Sequence, residues 1–279
     1  MRDKIKNAST IVVKMGTTSV THANGTLDLR KLEILARVLT DLENSGKKMV
    51  LVSSGAIGAG MNRMKLKERP KTLKQKQAAA SVGQGLLMRV YHKFFDEYHQ
   101  TVGQILLTKD VFKHAIKRNN AMNTFNALIE AGIIPIVNEN DCIATDEIQE
   151  ECFGDNDILS AMTADLVDAD LLIILSDVDG LYNDNPVLNK EARLIQTVRH
   201  VDKELMKSAG NSASCLGTGG MITKLGAAKY ATDCGIDMII ASGEDVKVLY
   251  KILDGEEIGT VFLSDSQEVS RIKTSNLED

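Results

Sequence analysis

Four stretches of this chain hold residue types that handle phosphate and carboxylate groups. Lys14-Met-Gly-Thr-Thr18 packs an ammonium, a glycine and two hydroxyls into five residues. Glycine lets backbone amides approach a phosphate, and lysine adds a point charge. A plain turn with a solvated lysine reads the same way. Ser53-Ser-Gly-Ala-Ile-Gly-Ala-Gly60 is small enough to let an anion reach amides and a helix N-terminus, and equally suited to close packing of a helix on a sheet. Leu216-Gly-Thr-Gly-Gly-Met-Ile-Thr-Lys224 sets glycines ahead of a helix and a lysine in its first turn. The helix dipole opposes a cation there, so an anion sharing that end explains Lys224 better. Convergence of Lys14 and Lys224 on a phosphoryl group would stabilise charge in its transfer.

Carboxylates form the fourth stretch. Asn138-Glu-Asn-Asp141 follows a strand pattern, and Gly154-Asp-Asn-Asp157 opens a helical one. One aspartate at a helix start is an ordinary cap. Asp155 and Asp157 together, after Glu147, Glu150 and Glu151, exceed what capping needs and suit magnesium recognition or the ordering of a lysine. Neither a GxxxxGK[ST] loop nor a GxGxxG after the first strand occurs.

The elements that must position these residues alternate. Short β-branched or apolar runs at 9–14, 48–52, 102–107, 133–137, 171–175, 238–241 and 260–263 read as strands. Pro135 marks the fourth as an edge strand or a strand start. Helical spacing marks 75–95, 118–131, 156–167, 203–209, 222–234 and 246–253, and another helix runs from an Asp28 cap to Gly46. Repeated β–α units predict a mainly parallel sheet with helices on both faces. In such folds ligands sit beyond the carboxyl ends of the strands, where Lys14, Ser53 and Asn138 fall.

Composition narrows the function classes. The 279 residues are 43% hydrophobic and 25% charged, enough for about two domains or one large α/β unit. No tryptophan, 4% aromatics and a net charge of −5 argue against nucleic-acid binding. No apolar run approaches membrane-span length and no signal-type hydrophobic region opens the chain, so a soluble, cytoplasmic protein is expected. Cys142, Cys152, Cys215 and Cys234 are scattered, and the five histidines form no cluster, which argues against disulfides or structural zinc. Charge is segregated: residues 119–189 hold fifteen acidic side chains and no basic one, leaving 33 basic against 23 acidic elsewhere, with a basic run over 63–76. That means either two solvated faces, or an acidic stretch that serves divalent cations or meets a basic surface in an oligomer.

The segments VVKMGTT, VSSGAIGAG, AAASVGQGLL, GQILLT, IPIVNEND, GDND, SDVDGLY and GTGGMITK, in this order over about residues 10–263, resemble the amino acid kinase family, in particular its glutamate-phosphorylating branch. The resemblance implies a three-layer αβα sandwich with a mainly parallel central sheet, the carbamate kinase-like fold, in two lobes sharing one sheet. Residues 1–159 would bind the amino acid and 160–263 the nucleotide. A polar tail, 264–279, would follow, with no C-terminal PUA domain of the kind many relatives add.

By the same resemblance Lys14 and Lys224 are the phosphoryl-transfer lysines and Asp157 organises them. Ser54, Gly55, Ala56, Asn138, Asp141, Asp155 and Asn156 fall at substrate positions. Lys14, Gly16, Thr17, Ser176, Asp177 and the run Thr218, Gly219, Gly220, Met221, Ile222, Thr223 and Lys224 fall at nucleotide positions. No residue is implied as a fixed metal ligand. Departures are small: MGTT where many relatives carry a serine, and Ser176 where threonine is common, both keeping a hydroxyl. The implied reaction uses ATP and Mg²⁺ to phosphorylate the γ-carboxylate of L-glutamate, opening proline synthesis. Implied too are inhibition by proline near residues 142–153 and a homodimer or homotetramer. A carboxylate acceptor, with an ordinary pKa of about 4.3, is already ionised and needs no general base, which suits motifs without histidine or cysteine. The rivals are a kinase of the same fold with another acceptor (acetylglutamate, aspartate, a carbamate or a nucleoside monophosphate) and a non-catalytic metabolite sensor.

Overall fold

Strand formation follows the β-branched runs, and helix formation follows the apolar stripes between them. The computed structural model describes residues 2–22, 24–143, 156–186, 188–211 and 220–264. In chain order the elements are α1 Arg2–Lys6, β1 Thr10–Met15, α2 Thr17–Val20, α3 Leu29–Asn44, β2 Lys48–Val52, α4 Ala56–Arg63, α5 Leu73–Asp96, β3 Val102–Leu107, α6 Lys109–Lys113 and α7 Ala115–Glu130. Then come β4 Ile134–Glu139, α8 Asn156–Leu166, β5 Leu171–Ser176, β6 Thr197–Val198, α9 Lys203–Asn211, α10 Met221–Asp233, β7 Asp237–Ser242, α11 Val248–Leu253 and β8 Thr260–Phe262. Asp28 caps α3 as expected, its carboxylate accepting from the Lys31 amide at 3.0 Å.

One eight-stranded sheet orders these strands β3-β4-β2-β1-β5-β7-β8-β6. The six from β3 to β7 run parallel; β8 is antiparallel to β7, and β6 is parallel to β8. Alternation along each strand makes three layers. Ile11, Val13 and Met15 of β1 pack in one core with Leu32, Leu35 and Leu39 of α3, Tyr91 and Phe95 of α5 and Leu249 of α11. Val12 packs in the other core with Phe125 of α7, Ala161 and Ala164 of α8 and Ala227 and Ala231 of α10. This is the expected αβα sandwich. Burying one such leucine stabilises the fold by about 2 kcal/mol.

Pro135 lies inside the sheet rather than at its edge, since β4 runs between β3 and β2. The strand-start alternative holds: Pro135 is second in β4, and the ladder to β2 begins only at Ile136, so no bond to β2 is lost. β4 also continues through Asn138 and Glu139, which the sequence placed after it. Residues 56–63 form the helix α4, whose N-terminus the sequence placed at the Ser53–Gly60 run without giving the helix its bounds.

The close packing in that segment is of helix on helix. A Cβ on Gly60 would stand 1.8 Å from the Ala79 carbonyl oxygen of α5, and one on Gly83 1.7 Å from that of Ala56. Only glycine at both positions lets α4 and α5 touch backbone to backbone.

Candidate active site

The chain winds from β1 through β2 toward one edge, and its second half starts at β5 on the other side of β1. The carboxyl ends of β1, β2, β4 and β5 therefore open on a point where strand order reverses, the usual ligand position in such sheets. Strand alternation aims Lys14, in phase with Val12, at the face covered by α8 and α10. Asp157 in the first turn of α8 and Lys224 in the first turn of α10 meet it there.

Lys14 Nζ is 2.5 Å from Asp157 Oδ1, and Lys224 Nζ is 3.2 Å from Asp157 Oδ2. Thr223 Oγ1 lies 3.1 Å from the same Oδ2 and 2.8 Å from the Gly220 carbonyl. All three charged side chains are buried. Burial pushes the Asp157 carboxyl up, but the charges of Lys14 and Lys224 outweigh it and hold the group below its ordinary range. Asp157 thus serves the lysines rather than capping its helix, and the anion that offsets the misplacement of Lys224 is this carboxylate.

A second cluster adjoins the first through the neighbouring residue. Asn156 Nδ2 points at the Ser53 carbonyl (2.5 Å), Ser54 Oγ (2.9 Å) and Asn138 Oδ1 (2.8 Å). Asn138 Nδ2 donates to Gln84 Oε1 at 2.8 Å, and its Oδ1 also takes the Glu139 amide at 2.9 Å. Ser53 Oγ is 2.8 Å from the hydroxyl of Tyr91. Gly55 turns the chain into α4 at φ 94°, where a side chain would be strained and its Cβ would strike Val20 at 2.8 Å. Ala56 follows as the first residue of α4 and is buried.

At the end of β4, Glu139 and Asp141 stand half-buried. Burial, and then the neighbouring Asp141 charge, push Glu139 up to about 7; burial pushes Asp141 up to about 6. The charge of Lys109 offsets part of the rise at Glu139.

Among the nucleotide positions, Gly16 follows β1 with its amide 3.4 Å from the Leu175 carbonyl, and a Cβ there would approach Lys14 Nζ to 3.8 Å. Thr17 is exposed beside it. Ser176 ends β5 and donates to Asp177 Oδ1 at 2.9 Å; neither hydrogen-bonds the lysine cluster among the described contacts. Gly220 begins α10 with open space around its Cα, followed by Met221 and an exposed Ile222. Asp155, Thr218 and Gly219 lie outside the described residues, as do 144–153. Gln84 and Tyr91 were not singled out from the sequence; Ser53 and Glu139 fell within its motifs without a role of their own. A lone glutamine in the small-residue run AAASVGQGLL was the only available signal for Gln84.

Residues 9–242 match the model of the amino acid kinase family. The chain belongs to that family. It is 51% identical over 269 residues to the glutamate 5-kinase of Clostridium perfringens, covering 96% of this chain and 100% of that one. It is 52% identical over 259 residues to the glutamate 5-kinase of Clostridium acetobutylicum, covering 93% and 96%. To the glutamate 5-kinase of Listeria monocytogenes serotype 4b it is 48% identical over 275 residues, covering 98% and 100%. Among solved structures, carbamate kinase from Giardia lamblia bound to AMP-PNP superposes at a TM-score of 0.64 with 16% identity, over 93% of this chain and 100% of that one. The UMP kinase of Bacillus anthracis superposes at 0.60 with 13% identity, over 93% and 97%. At such identities the likeness is one of fold. No described helix is long and apolar enough to cross a membrane.

Proposed function

We propose that this protein is an ATP-dependent kinase of the γ-carboxylate of L-glutamate, forming L-glutamyl 5-phosphate at the entry to proline biosynthesis. The observation that carries the reading is the adjacency of Asn156 and Asp157. One residue belongs to a cluster of neutral donors and acceptors, and the next to a buried lysine–carboxylate cluster. An acceptor held by the first cluster would present its far carboxylate to a phosphoryl group held by the second. Relatives at about half identity over nearly the whole chain carry the matching name.

In this reading residues 1–159 hold glutamate and 160–263 hold the nucleotide. Ser54 and Asn156 take the α-carboxylate and α-amino ends, with Asp141 on the ammonium and the Gly55–Ala56 turn shaping the wall. Asp155 belongs to the same acceptor set, and Thr218 and Gly219 to the nucleotide set. Lys14 and Lys224 bridge the anionic acceptor and the γ-phosphate, lowering repulsion as charge shifts between them, and Asp157 keeps both ammoniums aimed. Gly16, Thr17 and the start of α10 give amides and a hydroxyl to the phosphates, while Ser176 and Asp177 border the nucleoside. Asp157 has both oxygens on ammoniums, and no group of three metal-ligating side chains occurs among the described residues. In this reading magnesium enters as part of the MgATP substrate, held mainly by phosphate and water.

Proline acts as an inhibitor at the acceptor side, and the protein works as a cytoplasmic homodimer or homotetramer. Incubation with glutamate, MgATP and hydroxylamine tests the activity: trapped γ-glutamyl hydroxamate is expected, and its absence while another acceptor reacts would move the protein elsewhere in the family. Proline titrated at fixed ATP should raise the apparent glutamate KM. Sedimentation at low and high salt reads the assembly and any pairing of the acidic 119–189 stretch with the basic 63–76 run.

A further inference from the structure

We propose that the short helix α2 is a fixed spacer that seats the two substrate sites separately: Val20 backs the acceptor turn at Gly55, and Ser19 seats the turn after β7 at Gly243 on the nucleotide side. This rests on the reading of Ser54, Gly55 and Ala56 as acceptor positions and of Gly16, Thr17 and Ser176 as nucleotide positions. Ser19 is 4% exposed and Val20 0%. Consecutive helical residues point about 100° apart, so each side chain meets a different neighbour. A Cβ on Gly55 would stand 2.8 Å from Val20 Cγ2 and 3.4 Å from Thr21 Cγ2. A Cβ on Gly243 would stand 2.8 Å from Ser19 Oγ and 3.3 Å from both the carbonyl carbon and Cβ of Leu175. Two turns therefore press bare backbone against one four-residue helix. At Gly55 the left-handed φ of 94° also asks for glycine. Gly243 lies outside that region, so the contact alone asks for it there.

Each contact leads to a different ligand position. Gly55 joins Ser54 to the start of α4. The Gly243 amide donates to the Ser176 carbonyl at 2.6 Å, and the Gly16 amide reaches the Leu175 carbonyl at 3.4 Å. The end of β5 is thus held between the turn into α2 and the turn after β7, and the Ser19–Gly243 contact closes the third side. The helix itself is braced. The Thr17 carbonyl accepts from the Thr21 amide at 3.0 Å and the Thr21 hydroxyl at 2.9 Å, and the Val20 carbonyl accepts from the Asp28 amide at 3.0 Å. Crowding or slack at either glycine is therefore taken up by the turn rather than by α2, and reaches only the ligand on that side.

Two neighbouring residues of one helix should then divide the kinetic constants. Gly243→Ala overpacks the nucleotide side and should raise the ATP KM and the ADP dissociation constant by about tenfold, leaving the glutamate KM unchanged. Val20→Ala withdraws the support behind Gly55 and should raise the glutamate KM by about fivefold, leaving the ATP KM unchanged. A general loss of stability would not sort the two constants in this way. Adding Ser19→Ala to Gly243→Ala removes the 2.8 Å contact and should recover most of the lost ATP affinity. If Gly243→Ala fails to fold, Ser19→Thr crowds the same contact from the helix and should raise the ATP KM in its place. Equal changes in both constants, an ATP KM unmoved in the folded variant, or no recovery in the double variant would each overturn the spacer. Absence of acyl phosphate from glutamate with the unaltered protein would overturn the substrate reading and the acceptor half of the proposal with it, while ADP affinity in Gly243→Ala still decides the nucleotide half.

Discussion

The ammonium of Lys14 lies 2.5 Å from the carboxylate of Asp157, with both side chains 4% exposed or less. The contact ties the central strand to the helix that opens the second half of the chain, and the same carboxylate holds Lys224. A lysine buried alone would lose its proton or drag water in. Sharing one anion gives both buried lysines a counter-charge where a phosphoryl group would pass between them.

Asp157→Asn should therefore damage both fold and turnover. Removing the shared anion from buried cations costs about 3–5 kcal/mol, read by denaturant unfolding. Turnover should fall at least as far as with either lysine variant. The acid side gives the sign: the carboxyl is held below its ordinary 3.8, so its contribution is present above about pH 4 and lost as pH falls through the lowered value. The difference in stability between wild type and Asp157→Asn should thus narrow in acid.

Kinetic constants should divide along the two clusters. Lys14→Ala and Lys224→Ala should each lower kcat by roughly 100-fold or more with little change in glutamate KM, because their partner charge develops during transfer. Asp141→Ala and Asn156→Ala should mainly raise the glutamate KM. A Lys224→Ala enzyme with intact turnover would remove that lysine from the transfer step.

Glu139 and Asp141 predict a pH dependence of opposite sign to that of Asp157. Their folded pKa values, about 7 and about 6, exceed the ordinary 4.5 and 3.8. The folded state therefore binds more protons than the unfolded one, and their effect on stability turns unfavourable as pH rises from about 4 to about 7. Glu139→Gln should gain thermal stability over wild type at pH 8 and little at pH 4. An ammonium ligand wants the ionised pair, so the wild-type glutamate KM should fall between pH 6 and pH 8 and flatten in the variant.

Gly83→Ala tests the seat of α4 on α5. The added methyl would meet the Ala56 carbonyl oxygen at 1.7 Å, forcing the helices apart at a cost of about 3 kcal/mol. Because Ala56 starts α4 directly after Ser54 and Gly55, the glutamate KM should rise too, while the ATP KM holds. Urea unfolding and initial-rate kinetics on one preparation read both effects.

Much of this protein was legible in its residues. The β-branched and apolar runs gave most strands nearly to their ends, since strands covered on both faces read as nearly continuous apolar runs: Lys48–Val52 and Val102–Leu107 have the expected bounds. Lys14, Asp157 and Lys224 stood out as charged residues at strand and helix ends near glycine-containing runs, and the family resemblance turned them from a turn lysine and a cap into a set. α4 was legible only as a helix N-terminus without bounds; its buried residues Ala56, Ala59 and Gly60 are small, and they seat it on α5 by backbone contact.

Three things belonged to the tertiary structure alone. Pro135 could enter an internal strand because the ladder on its β2 side starts one residue later, a matter of register between segments far apart in sequence. Lys224 needed an anion that the residues by themselves left open; the resemblance pointed to Asp157, and only the packing of α10 against α8 brings the two into contact. Gln84 read as one polar residue among small ones; only the packing of α5 brings it to the Asn138 carboxamide. Sequence specifies which groups can donate and accept. Direction is set only when folding brings fixed partners to each amide, as the Ser53 carbonyl is brought to Asn156 from far along the chain.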